Sequence, residues 1–239
     1  MPLHIAVTSP GALRERCQAT TAHPAAETHT AYEPGAVIPA QPWRPLTEAA
    51  ARALTPPPAA PASTLVEIVR PPLPTGDRLD DLALPLGDTH AQYIGQALAK
   101  PNMPTTTDNY RDGRLLGLHL DNWDKLPYER KHTGRRRLAL NLGPGTRYLI
   151  LGTLDAQAVC RATHPHDYAL RYPHTDDYRA LAAAGQPIHV LRIRLAPGEG
   201  YIAPTEYLLH DGSTEGQDAP SAMAFWLGLW SSGVLPSLV

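Results

Sequence analysis

The chain has 239 residues, with 21 Lys plus Arg against 23 Asp plus Glu and a formal charge of −2. That balance supplies no electrostatic footprint for nucleic acid, and two cysteines, Cys17 and Cys160, are too few for a disulfide framework. No run of eighteen apolar residues spans a membrane and no leader pattern occupies the first thirty residues, so the expected location is cytoplasmic.

In chain order, Leu3 to Thr8 reads as a short strand, and Thr47 caps a short helix that ends near Leu54. Two proline runs, Pro56 to Pro61 and Pro71 to Pro74, bracket Thr64 to Arg70, whose period-two alternation predicts a strand. Such runs favour extended polyproline geometry that wraps a larger body. Residues 1–79 are therefore expected to form a Pro-rich portion packed on a domain at 80–239.

Asp88 to Lys100 reads as an amphipathic helix capped by Asp88 and closed by Pro101. Beyond it the signals change to strands at 113–121, 136–142, 146–154, 188–195, 199–203, 206–210 and 222–230. Many short strands with Gly/Pro turns predict a mainly β domain with a few helices, a barrel or sandwich of a size common for single domains.

The connection 162–186 is longer than a hairpin needs. It holds His164, His166 and Tyr168, which are expected to contact substrate from a covering loop. Its His174-Thr-Asp176 lies in a loop before a helix at Tyr178 to Ala184, with Thr175 or Asp176 as N-cap.

Composition alone yields roughly 0.6 His-x-Asp pairs by chance. The chain has two, so context must choose between them. In Gly113-Arg-Leu-Leu-Gly-Leu-His119-Leu-Asp121 the pair sits on a strand pattern, where residues i and i+2 share a face. His119 and Asp121 then point together, and His210, from Pro204-Thr-Glu-Tyr-Leu-Leu-His210, completes a three-ligand set with open positions suited to iron.

Gly113, five residues, His119, one residue, Asp121 resembles the first motif of the cupins, with Asp in place of the second His. Gly198, five residues, Pro204, then His210 resembles their second motif; Glu206 stands where Gly is usual and the His comes one residue late. The His-x-Asp…His order is similar to that of the iron(II)- and 2-oxoglutarate-dependent oxygenases, over roughly residues 80 to 230. That resemblance implies a double-stranded β-helix (cupin/jelly-roll barrel) and Fe(II) on His119, Asp121 and His210 as metal ligands and catalytic centre. It further implies 2-oxoglutarate as cosubstrate, and an enzyme that uses dioxygen to hydroxylate or otherwise oxidise a small metabolite such as an amino acid or natural-product intermediate. A composition poor in Lys and rich in Arg, Ala and Pro points the same way, toward specialised metabolism in a GC-rich bacterium.

One departure matters: no basic residue lies between Asp211 and Val239 to hold the distal carboxylate of 2-oxoglutarate. Arg137 and Asn141, on one face of the strand after the ligand pair, are the expected substitutes, with Ser213 assisting and Arg147, Arg192 and Arg194 as weaker candidates. Arg135 and Arg136 read as a solvated strand edge. Trp123 lines the site's mouth or packs, Trp226 and Trp230 pack, and Glu206, Tyr207 or Asp211 orients His210. Two alternatives stay open: a cupin-type dioxygenase or isomerase that uses its metal without 2-oxoglutarate, and a metal-free ligand-binding cupin.

Overall fold

In the computed structural model, which describes residues 3–57, 60–71, 79 and 86–239, two curled antiparallel sheets face each other. The first sheet runs β1 (His4–Ile5), β5 (Leu65–Val69), β10 (Gly200–Ala203), β7 (Arg136–Pro144), β12 (Ser221–Gly228), β6 (Gln92–Ala99). The second runs β11 (Leu208–Ser213), β8 (Arg147–Asp155), β9 (Ile188–Leu195), β2 (Cys17–Pro24), β3 (Val37–Pro39), with β4 (Arg44–Pro45) also on β2. Helices α1 (Pro10–Arg16), α2 (Glu48–Leu54), α3 (Ala156–Thr163) and α4 (Thr175–Ala183) complete the described elements. The architecture is mainly β, as the strand pattern predicts, and is consistent with the double-stranded β-helix that the resemblance implies.

Alternation along β7 shows why the sheets face as they do. Leu138 and Leu140 pack outward with Trp226 and Trp230 in a small cluster, whereas Ala139 joins Tyr201 and Met223 in the main core between the sheets. Arg137 and Asn141 share the inner face with Ala139, which brings polar groups into the barrel. Strands from residues 1–79 extend both sheets: β2 pairs β9 from Cys17↔Ile193 to Ala22↔Ile188, and β5 pairs β10. Pro58 and Pro72 to Pro74 of the proline runs lie outside the described residues.

Three expectations change. Residues 92–99 form strand β6 rather than a helix, paired with β12 from Ser221↔Ala99 to Leu227↔Gln92. The Asp88 carboxylate accepts from His90 N and Leu229 N, both at 2.8 Å, so it ties the chain to the end of β12 instead of opening a helix. Here a tertiary ladder overrides a weak local propensity already reduced by Gly95. Thr175 opens α4, but its N-cap is His174, with a capping box closed by Asp177. Residues 113–121 form no full strand and are held by isolated bridges. Among the described residues no helix is long and apolar enough to cross a membrane.

Gly200 lies where β10 crosses β7, and an added Cβ would overlap the carbonyl oxygen of Ala139. Backbone cannot give way there as a side chain could. Gly200→Ala is expected to cost about 3 kcal/mol of stability in urea unfolding; a loss below about 0.5 kcal/mol would contradict this packing.

Candidate metal centre

Segment 115–121 bridges the two ends of the second sheet. On one edge Leu118 N–H donates to Val37 O at 2.8 Å; on the other, His119 and His210 exchange reciprocal backbone hydrogen bonds of 3.0 and 2.9 Å, and Asp121 N–H donates to Thr205 O at 3.0 Å. The alternation of a β-strand is thus present without a continuous ladder. Leu118 and Leu120 enter the core while His119 and Asp121 face the opposite way.

Opposition across the bridge brings the imidazoles of His119 and His210 to 4.6 Å between centroids. Each Nδ1 meets a backbone carbonyl two residues earlier, Gly117 O at 2.9 Å and Leu208 O at 3.1 Å. Because a carbonyl only accepts, Nδ1 carries the proton and Nε2 presents a lone pair. Burial holds His210 far below the usual imidazole range, at about 3, so it is neutral near pH 7. Its Nε2 and the Asp121 Oδ2 are buried without a hydrogen-bond partner.

One ligand atom from each of His119, Asp121 and His210 lies within 4.8 Å of the others. Two imidazole nitrogens and one carboxylate oxygen, two of these atoms without a hydrogen-bond partner, fit a divalent metal of the iron type with positions left open.

Arg137 lies beside this triangle, its Nη2 2.7 Å from both oxygens of Asp121 but with hydrogen-bond geometry only to Oδ1. Burial alone would raise the Asp121 pKa; the guanidinium, with help from His210 and His119, outweighs it and holds the carboxyl at about 2. Arg137 also stacks on Phe225, 5.1 Å from the ring centre.

Both Arg137 and His210 line a cavity of ≈ 350 Å³ together with Arg147, Tyr201, Phe225 and Trp123, the last 54% exposed at the rim. Arg147 is 5% exposed and donates to Thr106 Oγ1 at 2.9 Å. Among the described residues no carboxylate forms an ion pair with it. Nearby Asp211 accepts instead from Thr106 N, Thr107 N, Thr107 Oγ1 and Gly212 N. The guanidinium of Arg147 occupies the space that a Cβ on Gly212 would fill.

The other expected cosubstrate contacts are engaged elsewhere. Asn141 donates to Gly145 O and Leu195 O and accepts from Gly143 N and Ser221 Oγ, which uses every position of its amide. Ser213 donates to Met103 O and accepts from Glu215 N. Arg192 is sandwiched between Trp43 and Tyr148 and pairs with Glu215, and Arg194 is exposed. Arg136 is no solvated edge: it is 4% exposed and bonds Glu67 at 2.7 Å.

His164, His166 and Tyr168 do not line the cavity. His164 Nε2 lies 2.9 Å from Asp177 Oδ1, Tyr168 packs edge-on against Tyr128, and His166 is exposed. The insertion thus packs upon itself through α3 and α4, and Ile94 to Ala99 of β6 line the cavity in its place. His210 is oriented by its own backbone; Asp211 Oδ2 sits instead 3.7 Å from His119 Nδ1. Sequence reasoning missed Thr106, Tyr201 and Phe225, whose contacts with the arginines come from segments distant in sequence.

No protein-family model matches the chain, and no curated protein does. Among solved structures it is similar to the Kdo hydroxylase KdoO, described as a non-heme Fe(II) alphaketoglutarate dependent dioxygenase in complex with cobalt(II). Identity is 17% and the TM-score 0.33, over 62% of this chain and 57% of that one.

The depressed His210 pKa has a pH consequence in the metal-free protein. The unfolded imidazole titrates near ~6.5 and takes up a proton as pH falls, while the folded one stays neutral to about 3. The stability it contributes is therefore complete above ~6.5 and declines below it, by up to about 1.4 kcal/mol per pH unit. Between pH 6.5 and 5, urea midpoints of the wild type should fall more steeply than those of His210→Gln; parallel curves would refute the assignment.

Proposed function

We propose that this chain is a non-haem Fe(II)/2-oxoglutarate-dependent oxygenase that oxidises a small molecule. The observation that carries the reading is a buried His119–Asp121–His210 triangle with two orphaned ligand atoms, opening on a cavity that also holds a buried arginine with no ion-pair partner among the described residues. When bound, iron would activate dioxygen, the oxidant, with 2-oxoglutarate supplying two of the electrons that its reduction requires.

The chain's own residues then have separable tasks. The Nδ1 hydrogen bonds of His119 and His210 fix the ring orientation and leave Nε2 for the metal. Arg137 holds Asp121 Oδ1, which leaves Oδ2 to ligate and keeps the carboxylate charged.

Arg147 is better placed than Arg137 to anchor a distal carboxylate, because Arg137 is already engaged by Asp121. A buried cation without a carboxylate is costly, and an incoming dianion would relieve that cost. Trp123 and Phe225 offer the substrate an apolar rim that excludes water from the reacting centre.

Anaerobic titration of Fe(II), followed by 2-oxoglutarate, tests both parts. Ala variants of His119, Asp121 and His210 should each lose stoichiometric iron while still folding; unchanged iron in all three would end the reading. Arg147→Gln should keep iron but weaken 2-oxoglutarate by about 2–5 kcal/mol, the range for losing one partner of a buried charge pair. A wild-type Fe(II) spectrum that ignores 2-oxoglutarate would favour an enzyme whose substrate chelates the metal itself.

A further inference from the structure

The strand that carries His119 and Asp121 has one well-paired edge, toward His210 and Thr205, and one sparse edge. On the sparse side Leu118 N–H reaches Val37 O at 2.8 Å. Continued antiparallel pairing would set position 35 opposite Leu120, two residues on along the ligand strand and two back along the partner. There the chain is still in a turn, with Gly35 at φ 71°, and β3 begins only at Val37. The Leu120 amide, between the two candidate ligands, would be buried without a partner.

Thr175 meets that need. Its Oγ1 accepts from Leu120 N at 3.0 Å and lies 3.5 Å from Leu120 O, and the residue is 7% exposed. Thr175 is the first residue of α4, whose start is fixed by a reciprocal cap: Asp177 Oδ2 accepts from His174 N at 3.0 Å, while Asp177 Oδ1 faces His164 Nε2 at 2.9 Å. One turn later Arg179 reaches Leu116 O at 3.4 Å and pairs with Glu33 at 2.6 Å. Helix α4 therefore lies along the sparse edge and contacts it at residues 116 and 120, on either side of the Leu118 bond to Val37.

We propose that Thr175 is a positioning residue for the metal centre: its hydroxyl stands in for a missing strand at Leu120 and keeps His119 and Asp121 on one face. This rests on the metal-binding reading above. The insertion then acts on metal affinity through the backbone rather than as a cover over substrate. Partners of this kind, one step removed from the metal, typically change affinity 10- to 100-fold.

Thr175→Val keeps the shape and removes the hydroxyl; Thr175→Ser keeps the hydroxyl. Two measurements on the full chain read the effect. In metal-free protein, amide hydrogen exchange at Leu120 should accelerate roughly 100-fold in Thr175→Val, while Leu151 and Ile193 in the core strands keep their protection. In Co(II) titrations, Thr175→Val should bind about 10- to 100-fold more weakly, and Thr175→Ser should return to near the wild-type value. Should Thr175→Val fail to fold, Thr175→Ala is read the same way. Wild type that binds no Co(II) overturns the metal reading. Wild type that binds, with Thr175→Val unchanged in affinity or Thr175→Ser not rescuing, overturns this inference alone.

Discussion

The reciprocal backbone bonds between His119 and His210 are the constraint on which the site depends. A strand from one end of the sheet and a strand from the other meet at one residue pair, and that pair carries two of the three candidate ligands. The two imidazoles lie 4.6 Å apart between centroids, and burial keeps that of His210 uncharged. Backbone carbonyls at Gly117 and Leu208 complete the arrangement by choosing the tautomer. Leaving Nε2 of His210 without a hydrogen-bond partner opposes folding by about 1–3 kcal/mol. The many apolar residues between the sheets offset that penalty, so the scaffold holds open a site that is unfavourable by itself.

Charge within the barrel follows a simple arrangement. Asp121 and Arg137 neutralise each other at close range, and Asp211 Oδ1 accepts from threonine and backbone groups while its Oδ2 is buried without a hydrogen-bond partner. Among the described residues no carboxylate forms an ion pair with the buried guanidinium of Arg147, although Asp211 lies near enough to act on it. Its pKa is pushed down by burial, against the pull of Tyr201 and Asp211. A small anionic ligand is the natural complement to such a cavity.

Local periodicity carried part of this into the sequence. The shared face of His119 and Asp121 followed from their spacing, and the strands β5, β7, β8, β9 and β12 from alternation and turn residues. Position β6 was read as a helix because the bonds that decide it, to β12, join residues about 130 apart. Asn141 and Ser213 have suitable chemistry, yet turns and loops around them consume it; only the three-dimensional neighbours reveal that. Arg147 stands in the opposite case. Nothing in Gly145-Thr-Arg147 distinguishes it from a surface arginine, and its burial comes from Thr106 and Gly212 in distant segments. His164 invited a role near substrate because its partner Asp177 could not be recognised from sequence.

The buried pair of Arg136 with Glu67 has a consequence for the chain's modularity. It joins a strand from the Pro-rich portion to a central strand of the barrel, in an environment where the same guanidinium also meets Leu65 O. A chain shortened to begin near residue 80 would deprive that cation of its carboxylate, at a cost of up to roughly 3–5 kcal/mol. It would also bare the flank of β10 that β5 now covers and the flank of β9 that β2 now covers. Two open sheet borders invite association with other copies. The first seventy residues are therefore the selvedge of the fabric rather than a trimming.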